Sequence, residues 1–346
     1  MTLPKCHILF QFREGPWGGS NQFLTGLRDR WQAGGCWAQR PEQADVILFD
    51  SFNEAQEVIA WKRRLPDVPF VHRIDGPISI YRGADRHLDR LIHAMSAEIA
   101  DGVVFQSQYS RQQNLALGMA PPPLAQVIVN AAQDKHFSPA AAPPAPDGRI
   151  RIIASSWSAH WNKGFDVYSY LDQHLDFSRY AMTFVGNSPL RFKHITQLPP
   201  QDRAGLAALL RQHDIFLTAS RSDPCSNSVL EALACGLPVA ALNSGGHPEL
   251  VGEGGRLFDG VDNVLACIDA VAAARGPLAA AIPHRRLESV AQAYAGFCHD
   301  VLAAARPAKR LRPGGVARLQ GWLAWRRLHL GIDQLQRWKG ARDAAA

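Results

Sequence analysis

A chain of 346 residues exceeds what one hydrophobic core ordinarily holds, so two domains of about 150 residues each are expected. A composition of 47% hydrophobic and 20% charged residues excludes a disordered chain, and no uninterrupted apolar run approaches the roughly 20 residues of a membrane-spanning helix. The net charge of +6 is concentrated in the tail, where from Arg306 onward ten Lys or Arg stand against Asp333 and Asp343, leaving the preceding body slightly acidic.

The first apolar run stops at Gln11 and Arg13, too short for a secretory signal, and reads as a strand over 6–12. Further β-branched or aromatic runs at 46–49, 70–73, 102–106 and 126–129 alternate with helix-period stretches, as in a parallel sheet with crossover helices. The rhythm breaks at the Pro/Ala-rich stretch 141–148, which neither a helix interior nor a central strand accommodates. A second cycle of strands follows at 151–155, 182–185, 215–219 and 238–241. The expected organisation is therefore a first α/β domain over 1–140, a linker over 141–148, a second α/β domain over 149–290, and C-terminal helices over 291–346. The last helix carries Leu319, Trp322, Trp325, Leu328, Ile332, Leu335 and Trp338 roughly on one face, a stripe for internal packing or for a membrane surface. Six scattered cysteines without a C-x-x-C pair fit reduced thiols in a cytoplasm.

Three segments can carry chemistry. Gly15-Pro16-Trp17-Gly18-Gly19-Ser20-Asn21 follows the first strand and opens a helix, where backbone N–H groups can approach an anion. It lacks both the G-K-[ST] ending of a triphosphate P-loop and the G-x-G-x-x-G of dinucleotide binding. The second, Trp157 to Asp166, follows the first strand of the second domain and offers Lys163 as a point charge for a diphosphate. The third, Asp214 to Val239, reads strand, polar loop, helix, turn, strand. It places Asp223 in the loop, Ser226 to Ser228 at the helix N-terminus and Glu231 one turn into that helix.

From about Ile152 to Phe258 this pattern resembles the large retaining glycosyltransferase family that carries a Glu-x7-Glu signature, called group 1 or family four. The resemblance implies an α/β GT-B architecture, in which two Rossmann-like doubly wound domains face a central cleft. It also implies transfer of a sugar from a UDP- or GDP-type donor to a glycan or lipid-linked acceptor in cell-envelope assembly. By the same resemblance Glu231 binds the donor ribose. Asp223 stands where the family carries its first glutamate, beside donor sugar and catalysis, and is one methylene shorter. Cys225, Ser226 and Asn227 offer backbone N–H groups, Lys163 grips the diphosphate, and Asn187 lies near the base. Trp157-Ser158 stands where the family usually places an arginine.

In the first domain, Gly18 and Gly19 match the glycine loop on the donor, and His72 matches a histidine that contacts the donor sugar. Ser20, Arg73 and Asp75 fall on the acceptor side. The segment from Phe105 to Ser110 reads as structural, and Ser244 to Glu249 as a tight turn in the cleft wall. No two aspartates are separated by one residue, so an Asp-x-Asp metal site is not expected, and no cofactor besides the donor is implied. The cysteine usage sets the protein in the cytoplasm, with its basic tail in reach of the anionic inner face of a membrane. Nucleic acid is not an expected partner, because the tail lacks a reading module. The competing readings are another reaction on the same fold, such as nucleotide-sugar epimerisation or phosphorolysis, and a catalytically weak nucleotide-sugar-binding or scaffold protein.

Overall fold

A computed structural model describes residues 3–14, 19–139, 148–304 and 307–343, with side chains through 329. The linker expected over 141–148 lies outside these residues except for Gly148. The first sheet consists of β1 (Cys6–Leu9), β2 (Val46–Asp50), β3 (Phe70–Ile74), β4 (Gly102–Phe105) and β5 (Ala125–Val127), all parallel and adjacent in that order. Beyond β1, the Cys6 N–H donates to Cys36 O at 2.7 Å and the Ala38 N–H to Cys6 O at 2.9 Å, forming a one-residue parallel bridge at Trp37. The chain therefore runs from β1 through the helix Gly19–Ala33 to the outer edge, then returns past β1 to β2. This reversal is a topological switch point, and the loop after β1 sits at it.

Val46–Asp50 and Phe70–Ile74 are buried at every position, as parallel strands covered on both faces must be. Helix Gly19–Ala33 covers one face together with Leu287–Ala303, which leaves the second domain and packs back on the first. The Trp31 Nε1–H donates to Ala291 O at 3.0 Å, and Phe297 and Val301 join the cluster of Cys6, Ile8, Val71 and Val104. The other face is covered by Ala55–Arg64, Arg86–Glu98 and the final helix Pro313–Asp343, which buries Leu319 and Leu323 there. Trp322 is partly buried against that cluster, whereas Trp325 and Leu328 are exposed; the side chains of Ile332, Leu335 and Trp338 lie outside the described residues. Part of the basic tail pairs with acids of the first domain, Arg310 with Asp67 and Arg318 with Glu98. Among the described residues no helix is long and apolar enough to cross a membrane.

The second sheet consists of β6 (Ile150–Ser156), β7 (Tyr180–Gly186), β8 (Thr196–Leu198), β9 (Ile215–Thr218), β10 (Val239–Leu242) and β11 (Gly255–Phe258), parallel in the order β11-β10-β9-β6-β7-β8. Relabelled from its own first strand this is 6-5-4-1-2-3, the doubly wound order of a dinucleotide-binding sheet. Its switch point falls between β6 and β9, so the loops carrying Lys163 and Asp223 leave neighbouring carboxyl ends. The two domains meet with these strand ends facing each other. Behind the cleft, Glu249 of the second domain accepts hydrogen bonds from the backbone N–H groups of Gln108 (2.9 Å) and Tyr109 (2.7 Å). That carboxylate thereby caps the first-domain helix Gln108–Ala116, where the helix dipole favours negative charge.

Candidate active site

A cleft of about 1010 Å³ opens between the domains, walled by both switch points. On the second-domain wall the helix Asn227–Ala234 begins after Ser226, whose hydroxyl meets Ser228 Oγ at 3.0 Å rather than capping the helix. Its first N–H groups are thus left toward the cleft, the arrangement that receives an anion. The helix Gly19–Ala33 starts on the opposite wall. The two helix ends are in contact: a Cβ added to Gly19 would fall 2.3 Å from Asn227 Nδ2, so a larger residue there would displace the Asn227 amide. Asn227 Oδ1 accepts from Asn130 Nδ2 at 3.1 Å, a second link between the walls.

Lys163 ends a short 3-10 turn, Trp161–Lys163, and its Nζ lies 3.1 Å from Asp223 Oδ2 and 3.3 Å from Ser220 Oγ. The Tyr81 ring of the first domain lies under the same ammonium, 4.8 Å from Nζ to centroid, and the Tyr81 carbonyl accepts from Asn162 Nδ2 at 3.0 Å. Burial works against a charged lysine here, but Asp223 and Tyr81 outweigh it and hold the ammonium above its ordinary range. Burial would likewise raise Asp223, yet Lys163, His247 and the Cys225 N–H together hold it below the usual carboxylate value. Both groups are therefore charged at neutral pH.

Gly164 sets this geometry. It has φ +87°, and a Cβ there would lie 2.3 Å from both Cβ and O of Ala219. Gly164→Ala is expected to lose about 3 kcal/mol in urea unfolding, from the left-handed backbone and from overpacking against a strand end that cannot move aside.

Glu231 lies partly buried deeper in the cleft, where burial pushes its carboxyl up to about 8 and Arg203 pulls the other way. Arg203 opens the helix Arg203–Arg211 and reaches across to the first domain, donating to Gln22 and, at 2.9 Å, to Gln133 Oε1. On the first-domain wall, Asp75 accepts from Ser20 Oγ at 2.6 Å and from Arg73 Nη1 at 3.0 Å.

The residues singled out from sequence thus fall into two groups. Gly19, Ser20, Asp75, Lys163, Asp223, Cys225, Ser226, Asn227 and Glu231 all line the cleft. Gly18 lies outside the described residues. The expectation for His72 is corrected: it is fully buried, stacked on Phe49, with Nδ1 at 2.7 Å from Ser96 Oγ and Nε2 at 2.8 Å from Ser51 O. Burial pushes it down to about 3, so it is a neutral core residue held away from any donor sugar. Strand alternation is the reason, since His72 and Arg73 point to opposite faces of a sheet covered on both sides.

Arg73 is also corrected, from an acceptor contact to a buried buttress between Asp50 and Asp75. Asn187 does not line the cleft; it is exposed and donates to the Trp157 carbonyl at 2.6 Å, while its neighbour Gly186 forms the wall. The turn from Ser244 to Glu249 is not cleft wall either. It supports the Asp223 loop from behind, with the Gly246 N–H donating to Asp223 O at 2.8 Å. Sequence reasoning missed Tyr81 and Arg203, which carry no local motif and act across the domain boundary.

Two parallel doubly wound sheets facing a cleft define the GT-B fold, and comparisons with known proteins agree. The structure of Anabaena Alr3699/HepE in complex with UDP-glucose superposes with a TM-score of 0.61 at 16% identity, covering 87% of this chain and 99% of that one. Sucrose-phosphate synthase from Thermosynechococcus elongatus does so with a TM-score of 0.61 at 15% identity, covering 94% and 99%. Residues 176–274 match the family model described as glycosyl transferases group 1. The D-inositol 3-phosphate glycosyltransferase of Mycobacterium avium (strain 104) is 39% identical over 92 residues, which is 25% of this chain and 22% of that relative's length. The chain therefore matches about a fifth of the curated relative. The group 1 match thus lies within the second domain of a chain of GT-B fold.

Proposed function

We infer that the chain transfers a sugar from a UDP- or GDP-type nucleotide sugar to a glycan or lipid-linked acceptor, with retention of configuration. The observation that carries this reading is that one charged lysine and two helix N-termini line a single cleft built from both domains. Cleavage of a sugar–phosphate bond places new charge on the diphosphate, and fixed donors aimed there stabilise it. Lys163 and the N–H groups of Ser226 and Asn227 take the diphosphate, while the Cys225 N–H is engaged by Asp223. Glu231 accepts the ribose hydroxyls, and Asp223 accepts from the donor sugar while tied to Lys163.

That this positive charge is supplied by protein groups suggests that no divalent metal is needed. The UDP-glucose bound by the Anabaena protein favours UDP as the carrier. The setting proposed is the cytoplasmic side of the cell envelope, with the basic tail against anionic lipid and no nucleic acid partner. Incubation with UDP-glucose, UDP-N-acetylglucosamine and GDP-mannose is expected to release nucleoside diphosphate from one of them, unaffected by EDTA. Proton NMR of the product is expected to show the donor's anomeric configuration. Tight binding of a nucleotide sugar with no release across many acceptors would instead establish a binding or scaffold protein, a reading that the Asp223–Lys163 pair and the family arginine replaced at Ser158 keep open.

A further inference from the structure

Trp157 follows directly on strand β6 and stands on the cleft wall with 50% of its surface exposed. The backbone beneath it is fixed from both sides. Trp157 O accepts from Asn187 Nδ2 at 2.6 Å, Ser156 O accepts from the Asn187 N–H at 3.0 Å, and Ser156 Oγ donates to Ser158 O at 2.8 Å. Strand β7 closes on the same point, since a Cβ on Gly186 would overlap Ser156 O.

The ring, in contrast, holds nothing. Trp31 buries its indole and gives Nε1–H to Ala291 O, and Trp161 leans on Phe165 with 6.4 Å between ring centroids. Among the described residues the Trp157 ring meets no other ring and no cation, and its Nε1–H has no protein acceptor. A single exposed apolar side chain is ordinary on a protein surface. A large flat ring on an immobilised backbone inside a ligand cleft is a preformed face for another flat group.

The strand order identifies that group. The β9 end lies on one side of β6, and the β7 and β8 ends lie on the other. Lys163 turns toward β9, where it meets Ser220 and Asp223. Trp157 is tied instead to Asn187 after β7, and beyond it the cleft is lined by Gly186 and, after β8, by Pro200 and Gln201. Glu231, assigned above to the ribose, lines a small cavity together with Arg203, which opens the helix that follows β8. In a doubly wound sheet a ligand whose diphosphate sits at the first strand-to-helix turn lays its nucleoside toward the second strand, here β7.

We propose that Trp157 is the platform on which the base of the nucleotide donor stacks. The proposal rests on the nucleotide-sugar reading above. The indole covers one face of the base. Because every base presents such a face, the ring sets how tightly the nucleotide is held rather than which base is chosen.

The test compares wild type, Trp157→Ala, Trp157→Phe and Trp157→Leu in equilibrium titrations with UDP, GDP, ADP and CDP, and in melting of the empty proteins. For the nucleoside diphosphate that wild type binds, Trp157→Ala is expected to raise Kd about 5–150-fold, the worth of one base on one aromatic ring. Trp157→Phe should recover most of that loss and Trp157→Leu little of it, with the melting temperature of the empty protein unchanged in all three. An unchanged Kd in Trp157→Ala overturns the proposal, and a raised acceptor KM in its place gives the ring to the acceptor. Recovery by leucine equal to that by phenylalanine, or a lowered melting temperature of the empty alanine variant, also overturns it, because the ring then acts by packing. A wild type that binds none of the four nucleotides overturns the donor reading, and the Trp157 role falls with it.

Discussion

Lys163→Ala is expected to slow nucleoside diphosphate release by about 10²–10³-fold, the cost of removing one preorganised donor from a developing oxyanion. The same substitution should also destabilise the ligand-free protein. Lys163 and Asp223 keep only 17% and 12% of their side-chain surface, so removing the lysine leaves a nearly buried carboxylate without its cation. A loss at the low end of the roughly 3–5 kcal/mol for broken buried pairs is expected, since neither side chain is fully enclosed. The pH dependence separates this from a packing defect. With its carboxyl held below 3.8, Asp223 contributes stability that is present at neutral pH and lost as pH falls through the depressed value. The gap between wild type and variant should therefore narrow toward pH 3 in urea titrations. The double variant Lys163→Ala, Asp223→Asn should regain most of the stability and none of the activity, which distinguishes the lysine's two roles.

Glu231→Gln is expected to move stability and donor binding in opposite directions. Burial raises the Glu231 carboxyl to about 8, against an ordinary value of 4.5. Between those values the folded protein holds a proton that the unfolded chain has released, so stability declines as pH rises through this window. The decline amounts to at most roughly 5 kcal/mol at about 1.36 kcal/mol per pH unit. Glutamine removes it, so the variant should melt higher than wild type at pH 8 and no higher at pH 5. Its affinity for the nucleotide sugar should fall, because an amide is a weaker acceptor for ribose hydroxyls than a carboxylate. A site residue whose removal stabilises the empty protein is one retained for the ligand.

The legible parts of this fold were those where local chemistry is strong. Val46–Asp50 and Phe70–Ile74 are apolar and β-branched enough to read as buried strands, and the Asp223 to Glu231 segment carries its own strand, loop and helix signals. The short edge strands Thr196–Leu198 and Gly255–Phe258 were not read, because three or four half-exposed residues carry no period. The one-residue bridge at Trp37 is invisible for the same reason, yet it creates the switch point of the first sheet. His72 was assigned to the cleft because it lies near the end of a strand. Only the knowledge that β3 is covered on both faces turns its ring into the core and leaves Asp75, one residue past the strand, to face the cleft. Tyr81 and Arg203 act through partners 82 and 181 residues away in sequence, Lys163 and Gln22, a relation that no local pattern encodes.

Lys163 is expected to hold a nucleoside diphosphate sugar in this cleft. Thermal unfolding of the wild type and Lys163→Ala with UDP, GDP, ADP, CDP, their common sugar conjugates and NAD tests it most directly. At about 100 times its dissociation constant a ligand should stabilise by roughly 2.7 kcal/mol, a shift of several degrees. Such a shift is expected with one nucleoside diphosphate and its sugar conjugate, and not in Lys163→Ala; a shift with NAD alone, or one that Lys163→Ala retains in full, rules out binding of a nucleotide sugar on this lysine.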